Sequence, residues 1–142
     1  MSISSDLVLD ASTITSYLLA EENSEKVYQI MESSIEGGHR ILTPELAYKE
    51  VSNALLKACI RRRLIAEEDL TRTLNSLFKL PLQPMKQDKK LILRASTISL
   101  RSNLTIYDAL YIACTELEKA TLLTSDKKQH THAREYVPTT LI

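Results

Sequence analysis

The sequence has few of the residues on which several kinds of site depend. It contains two glycines, Gly37 and Gly38, which stand side by side, so a glycine-rich phosphate-binding loop is excluded. Its two cysteines, Cys59 and Cys114, form no CxxC pair, and each lies within a helical apolar pattern. We therefore expect two reduced, buried thiols, and neither a disulfide framework nor a cysteine-rich zinc site.

Long apolar runs and an excess of one charge are also missing. No run approaches the ~20 residues that span a bilayer, and the first six residues have neither the basic region nor the apolar segment of a signal peptide. The 18 basic and 18 acidic residues balance, unlike those of many nucleic-acid binders. With 142 residues, 44% of them apolar, we expect one globular domain over residues 1–142 that is cytoplasmic and binds no membrane.

Short apolar strands alternate with longer helical patterns along the chain. This alternation predicts a single α/β domain with a mostly parallel sheet. The predicted strands are residues 7–9, 41–42, 80–82 (at an edge, because it contains proline), 121–124, and a last one near 140–142. Predicted helices begin at Ser12 or Thr13, Ser24, Thr43, Ala66, Asp88 and Thr105. A short polar helix is expected between Asp126 and the last strand, although residues 127–138 are polar and give little support for a regular helix and strand.

Four carboxylates lie just after predicted strands or early in predicted helices: Asp10, Glu50, Asp108 and Asp126. Asp10 and Asp126 each end a strand, so a helix cap is an ordinary explanation for both. Asp108 is the third residue after Thr105, as in a capping box. Glu50 is beyond the first turn of its helix and has no basic neighbour three or four residues away. The remaining ordinary explanation for Glu50 is a solvated position on the helix surface, and the alternative is a functional role.

An open parallel sheet would bring these acids together. Such sheets gather ligand-binding residues at the carboxyl ends of their strands, near the point where strand order reverses. Four acids in one crevice repel each other and hold protons unless a divalent cation lies among them. Oxygen ligands suit Mg²⁺ or Mn²⁺, whereas zinc favours histidine and cysteine. The three histidines form no convincing zinc set, and we expect them at the surface: His39, His130 and His132.

Four short stretches, residues 7–12, 50–55, 107–113 and 123–126, occur in a distinctive order along nearly the whole chain. In them the chain resembles PIN-domain nucleases, and most of all the VapC-type toxins of prokaryotic toxin–antitoxin pairs. The stretch Tyr-Asp-Ala-Leu-Tyr-Ile-Ala at 107–113 carries most of the resemblance. The resemblance implies five parallel strands in the order 3-2-1-4-5. It also implies one or two Mg²⁺ or Mn²⁺ ions on the four carboxylates, supported by the hydroxyls of Ser12 and Thr124.

The resemblance further implies an endoribonuclease that hydrolyses RNA with metal-activated water and leaves a 5′-phosphate and a 3′-hydroxyl. A cognate antitoxin and a homodimer are expected on the same ground. Asn53 and Lys57 form a polar stripe with Glu50, and Asn53 is a candidate supporting residue. The candidate phosphate contacts are Lys57, Arg61, Arg62, Arg63, Lys127 and Lys128, although charge runs often only solvate a face.

Three other interpretations stay open at this point. A phosphotransfer enzyme of the haloacid dehalogenase type would carry a second Asp two residues after Asp10, where this chain has Ser12. A receiver domain phosphorylated on Asp would carry its phosphoacceptor after the third strand, but residues 80–85 contain no Asp. A catalytically inactive PIN-like scaffold that binds RNA or a partner also remains, and the RNA target is open among transfer, ribosomal and messenger RNA.

Overall fold

A computed structural model describes residues 5–142; the first four residues, part of the segment in which we predict no signal peptide, lie outside this range. The described strands are β1 (Leu7–Leu9), β2 (Ile41–Pro44), β3 (Gln83–Met85), β4 (Thr121–Thr124) and β5 (Thr139–Leu141). The described helices are α1 (Ala11–Leu18), α2 (Ser24–Glu36), α3 (Leu46–Ile60), α4 (Glu67–Lys79), α5 (Lys89–Ser102), α6 (Ile106–Leu117) and α7 (Lys127–Ala133).

The described strands form one parallel sheet in the order β3-β2-β1-β4-β5, which confirms the predicted fold. β1 lies at the centre, with Leu7 opposite Ile41 of β2 and Thr121 of β4. Every residue of β1 is buried, as expected for a strand covered by helices on both faces. Strand order reverses between β1 and β4, so the carboxyl ends of these two strands border the crevice in which such folds bind ligands.

Helix α6 is the most buried helix of the fold. Its residues 109–115 are all buried, because the helix packs against α5 on one side and against β1, β2 and β4 on the other. Helix α1 packs against α2 and α3. Within residues 5–142, no helix is long and apolar enough to cross a membrane.

Two predicted element boundaries are wrong, because strand pairing prevails over local signals. Thr43 does not cap a helix: β2 runs to Pro44, the buried Thr43 hydroxyl donates to the carbonyl of Leu9 at 2.8 Å, and α3 begins at Leu46. The third strand lies at 83–85 and not at 80–82, because Gln83 to Met85 pair with β2. Its predicted place at the edge of the sheet is correct.

The start of α1 also differs from prediction. Ser12 and Thr13 lie inside α1, and the cap is Asp10, whose carboxylate accepts from the Thr13 N–H at 3.0 Å. The short polar helix and the last strand expected after Asp126 are both confirmed, as α7 and β5, although the polar composition of the segment gave them little support. Cys114 is buried as expected, but Cys59 is partly exposed.

Candidate active site

Asp10 is held at the centre of the sheet's carboxyl edge. It follows β1, its N–H donates to the Leu123 carbonyl of β4 at 3.3 Å, and only 5% of the residue is exposed. As the N-cap of α1 it sits at the positive end of that helix, which favours a carboxylate. Burial nevertheless raises the pKa of Asp10, although hydrogen bonds from Thr124, Ser12 and Thr13 oppose the rise.

Two hydroxyl groups fix the orientation of the Asp10 carboxylate. Ser12 Oγ donates to Oδ1 at 2.7 Å, and Thr124 Oγ1 donates to Oδ2 at 2.5 Å. Each hydroxyl also accepts a backbone N–H from the turn after β4: Ser125 N lies 3.0 Å from Ser12 Oγ, and Asp126 N lies 3.1 Å from Thr124 Oγ1. A hydroxyl whose oxygen accepts a hydrogen bond from a backbone N–H can still donate its own proton, so both hydroxyls donate to Asp10. The structure thus brings both predicted supporting residues onto Asp10.

Glu50 faces the same cleft from α3. It is half-buried, and the hydroxyl of the buried Tyr111 donates to its Oε1 at 2.7 Å. Burial raises the pKa of Glu50, and repulsion from Asp108 and Asp10 adds to the rise, while the hydrogen bond from Tyr111 opposes it. Burial also raises the pKa of the Tyr111 hydroxyl, so it remains a proton donor.

Tyr111 was missed as a site residue by the sequence analysis. The signal that could have identified it is its position three residues after Asp108. Residues three apart lie on the same face of a helix, so a tyrosine there points toward the same cleft as the acid. The buried hydroxyl then needs a partner, and Glu50 supplies it.

Asp108 and Asp126 close the cleft on the side of α7. Thr105 caps α6 and accepts the Asp108 N–H at 3.2 Å, as predicted. Burial raises the pKa of Asp108, and repulsion from Asp126 adds to the rise, whereas nearby Lys128 and His132 oppose it. The exposed Asp126 caps α7 by accepting from the N–H groups of Lys128 and Gln129 at 2.8 and 3.2 Å.

All four predicted carboxylates therefore face a shared cleft, although they come from separate elements. Glu50 interacts electrostatically with Asp10 and Asp108, and Asp108 interacts with Asp126. The arrangement follows from the fold, because helices that return antiparallel to the strands begin at the strands' carboxyl edge. Asp10 and Asp126 cap α1 and α7, and Asp108 lies in the first turn of α6, so three of the acids lie at positive helix ends.

The cleft has the chemistry of a site for a hard divalent cation. Among residues 5–142, no group of three or more His, Cys, Asp or Glu side chains is arranged to hold a metal ion by itself. The four acids offer carboxylate oxygens; burial disfavours the charged forms of Asp10, Glu50 and Asp108, and repulsion adds to this effect for Glu50 and Asp108, until a cation offsets it. Such a set fits Mg²⁺ or Mn²⁺, which use one or two carboxylates and keep several waters.

The basic candidates divide into those at the cleft and those away from it. Lys57 lines a cavity of about 350 Å³ beside Glu50, together with Asn53. Lys128 lies near Asp108, and Lys127 is exposed on the same helix. The exposed run Arg61, Arg62 and Arg63 follows the end of α3. At 1.5 Å per residue, this run begins roughly 16 Å along the helix from Glu50, so the structure does not bring it into the cleft. The histidines are all partly exposed.

The fold and the site define a class of protein: a parallel α/β domain with an acidic cleft at the carboxyl ends of its central strands. Comparison with known families gives the same class, since the PIN domain family matches residues 7–135. The chain belongs to the PIN-domain family. It is similar to Ribonuclease VapC3 of Pyrobaculum aerophilum, with 32% identity over 124 residues that cover 86% of this chain and 90% of the relative.

Solved structures agree with this fold. PAE2754 from Pyrobaculum aerophilum has a TM-score of 0.67 at 21% identity, with 96% of this chain and 90% of that chain covered. VapBC2 from Rickettsia felis, bound to a DNA fragment from its promoter, has a TM-score of 0.68 at 14% identity and coverage of 99% and 98%. FitAcB from Neisseria gonorrhoeae has a TM-score of 0.55 at 18% identity and coverage of 94% and 95%. At these identities the likeness is one of fold.

Proposed function

We propose that this protein is an endoribonuclease that depends on Mg²⁺ or Mn²⁺, and that it is the toxin of a toxin–antitoxin pair acting in the cytoplasm. The observation that carries the proposal is the convergence of Asp10, Glu50, Asp108 and Asp126, from four separate elements, on one cleft. The relative named as a ribonuclease, 32% identical over most of this chain, supports RNA as the substrate.

The carboxylates would hold the cation directly or through water. Asp10 and Asp108 are the main ligands in this proposal, and Glu50 and Asp126 complete the site. When bound, the cation offsets the charge of the phosphodiester and makes a water molecule more acidic. The chain's own residues keep the ligands in place: Ser12 and Thr124 fix both oxygens of Asp10, and Tyr111 fixes Glu50.

The reaction is hydrolysis with in-line displacement. The oxygen of water forms a bond to phosphorus, the bond from phosphorus to the 3′-oxygen breaks, and the leaving oxygen takes a proton while the attacking water loses one. The products are a 5′-phosphate and a 3′-hydroxyl. Acids held on a fixed framework suit this reaction, because a pre-oriented site needs little reorganisation in the transition state.

The test is cleavage of a mixed RNA pool by the purified full chain with Mg²⁺, with Mn²⁺ and with chelator. We expect metal-dependent cutting that Asp10→Asn and Asp108→Asn both lack. Asp88→Asn is the matched control, because Asp88 also caps a helix, accepting from Leu91 N at 3.0 Å, but belongs to α5. Equal cutting by wild type and Asp108→Asn would overturn the proposal, as would the absence of both cutting and Mn²⁺ binding.

A catalytically inactive scaffold that binds RNA or a partner is the second candidate. The observation that favours it is that both oxygens of Asp10 already accept hydrogen bonds within the chain. Calorimetric titration with Mn²⁺ separates the two, since a scaffold need not bind the ion. Membership of the PIN-domain family gives the phosphotransfer interpretation no support.

A cognate antitoxin and a homodimer are the partners that we propose. The likeness to the VapBC2 and FitAcB structures supports the antitoxin. Co-expression of the chain with its neighbouring gene product, followed by co-purification and an RNA cleavage assay, tests it. A bound neighbour that suppresses cleavage is the expected result, and light scattering of the purified chain measures the oligomeric state.

A further inference from the structure

A cavity of about 350 Å³ opens next to the acidic cleft, where α1 packs against α3. Its polar lining consists of Ser12, Thr15, Glu50, Asn53 and Lys57. Glu50, Asn53 and Lys57 are separated by three and four residues, so they form one row along α3. The cavity therefore begins at a candidate metal ligand and continues along the helix away from it. We call it the α3 subsite.

The charge of the α3 subsite changes sign along this row. Its inner end is Glu50, which interacts with Asp10 and Asp108. Its outer end is Lys57, about 10 Å farther along the helix. Lys57 is exposed, and among residues 5–142 no carboxylate lies within 4.0 Å of its amino group. A cation with no ion pair at the end of a cavity is available to an anionic ligand.

Asn53 lies between the two charged groups and is exposed. Its amide carries two donor hydrogens and an acceptor oxygen, and a single-stranded base or a ribose 2′-hydroxyl presents both kinds of partner. The volume is at the lower end of the roughly 300–1,000 Å³ typical of small-molecule sites. A volume of this size accommodates one small group, such as a base or a ribose.

We propose that the α3 subsite binds the nucleotide next to the cleaved bond of an RNA strand, with Lys57 on its phosphate and Asn53 on its base or ribose. The inference rests on the proposed ribonuclease function and adds the direction in which the strand leaves the cleft. Lys128 lies near Asp108, whereas Lys57 shares the α3 subsite with Glu50. An anionic strand bound at the acids would therefore have a lysine near each of these two carboxylates.

Binding of a fluorescein-labelled pool of random RNA 12-mers tests the α3 subsite, with Asp108→Asn as the background so that the RNA stays intact. Lys57→Ala should weaken binding about fivefold at 0.1 M salt and lower the slope of log affinity against log salt by about 0.7, the value for one phosphate contact on a single strand. Lys49→Ala is the matched control, because Lys49 is an exposed lysine on the same helix outside the cavity.

Equal effects of the two lysine substitutions, or no effect of Lys57→Ala, would overturn the α3 subsite. The absence of RNA binding in the Asp108→Asn background would also overturn it. Competition by poly-glutamate as effective as that by unlabelled RNA would indicate a peptide site and would overturn it too. Failure of the ribonuclease proposal is seen separately, as the absence of both cutting and Mn²⁺ binding by the wild type. If the wild type binds RNA through Lys57 but neither cuts it nor binds Mn²⁺, the result supports the subsite and refutes the ribonuclease proposal.

A second readout applies if the wild type cuts RNA. Lys57→Ala and Asn53→Ala should raise KM about fivefold and leave kcat within about twofold, because the contacts are made equally in the ground state and the transition state. Shortening an oligonucleotide substrate by one nucleotide at the subsite side should raise KM for the wild type and have little further effect on Lys57→Ala. Additive effects of shortening and substitution would contradict a shared contact.

Discussion

The hydrogen bond from Tyr111 to Glu50 predicts a measurable change in the titration of the cleft. Tyr111 is 2% exposed, and Tyr111→Phe keeps its ring while removing only the hydroxyl that donates to Glu50 Oε1 at 2.7 Å. A hydrogen bond to a charged group contributes about 1.5–3 kcal/mol when it is buried. Because Glu50 is half-buried, water replaces part of this hydrogen-bond energy in the variant, and we expect the free energy of unfolding to fall by about 1 kcal/mol.

The sign of the effect on Glu50 follows from which form the hydroxyl stabilises. The tyrosine donates to the charged carboxylate, so it lowers the pKa of Glu50 against the larger effect of burial. Its removal should raise that pKa further. Tyr111→Phe should lower the free energy of unfolding at pH values above the pKa of Glu50. This loss should shrink as the pH falls below that pKa, since the neutral acid gains less from the donor.

The assay is an NMR titration of the Glu50 carboxyl in chelator, for the wild type and for Tyr111→Phe. Tyr136→Phe is the matched control, because Tyr136 also makes a 2.7 Å hydrogen bond, to the hydroxyl of Ser102, away from the cleft. The control should lose similar stability without moving the Glu50 titration. An unchanged or lowered pKa of Glu50 in Tyr111→Phe would refute the reasoning, and so would an equal shift in Tyr136→Phe.

Two further predictions concern the stability of the metal-free protein. Burial and repulsion raise the pKa of Glu50 above its ordinary value of 4.5, so the charge of Glu50 lowers the stability as pH rises. Glu50→Gln keeps an oxygen for Tyr111 and should raise Tm by roughly 3 °C at pH 7 in calorimetry. The gain should vanish near pH 4, and a gain that persists there would contradict the predicted sign. Thr124→Val removes a buried hydroxyl that serves both Asp10 and the Asp126 N–H, and should lower the free energy of unfolding in urea by about 3 kcal/mol. Thr124→Ser should lose only about 1 kcal/mol, and equal losses would show that the methyl group and not the hydroxyl matters.

Local signals of the sequence predicted the structure best where no strand pairing competed with them. Thr105 caps α6 as predicted, since no strand competes for it. Thr43 has the same capping chemistry and the following proline, but its backbone pairs with Pro84 of β3, so the residue ends a strand. The polar composition of residues 127–138 gave little support for the short helix and last strand expected there, yet Asp126 caps α7 and β5 pairs with β4. Pairing partners that lie far apart along the chain are invisible to local propensity.

The sequence by itself determined the class of fold and the four acids, because the alternation of short apolar strands with helices and the positions of acids at their junctions are local properties. Only the tertiary structure decided how those acids are held. The hydroxyls on Asp10 come from residues 2 and 114 positions away, and the donor to Glu50 comes from 61 positions away. The α3 subsite likewise arises where α1 meets α3. Such contacts depend on how helices pack around the sheet, and packing joins residues whose spacing along the chain carries no signal.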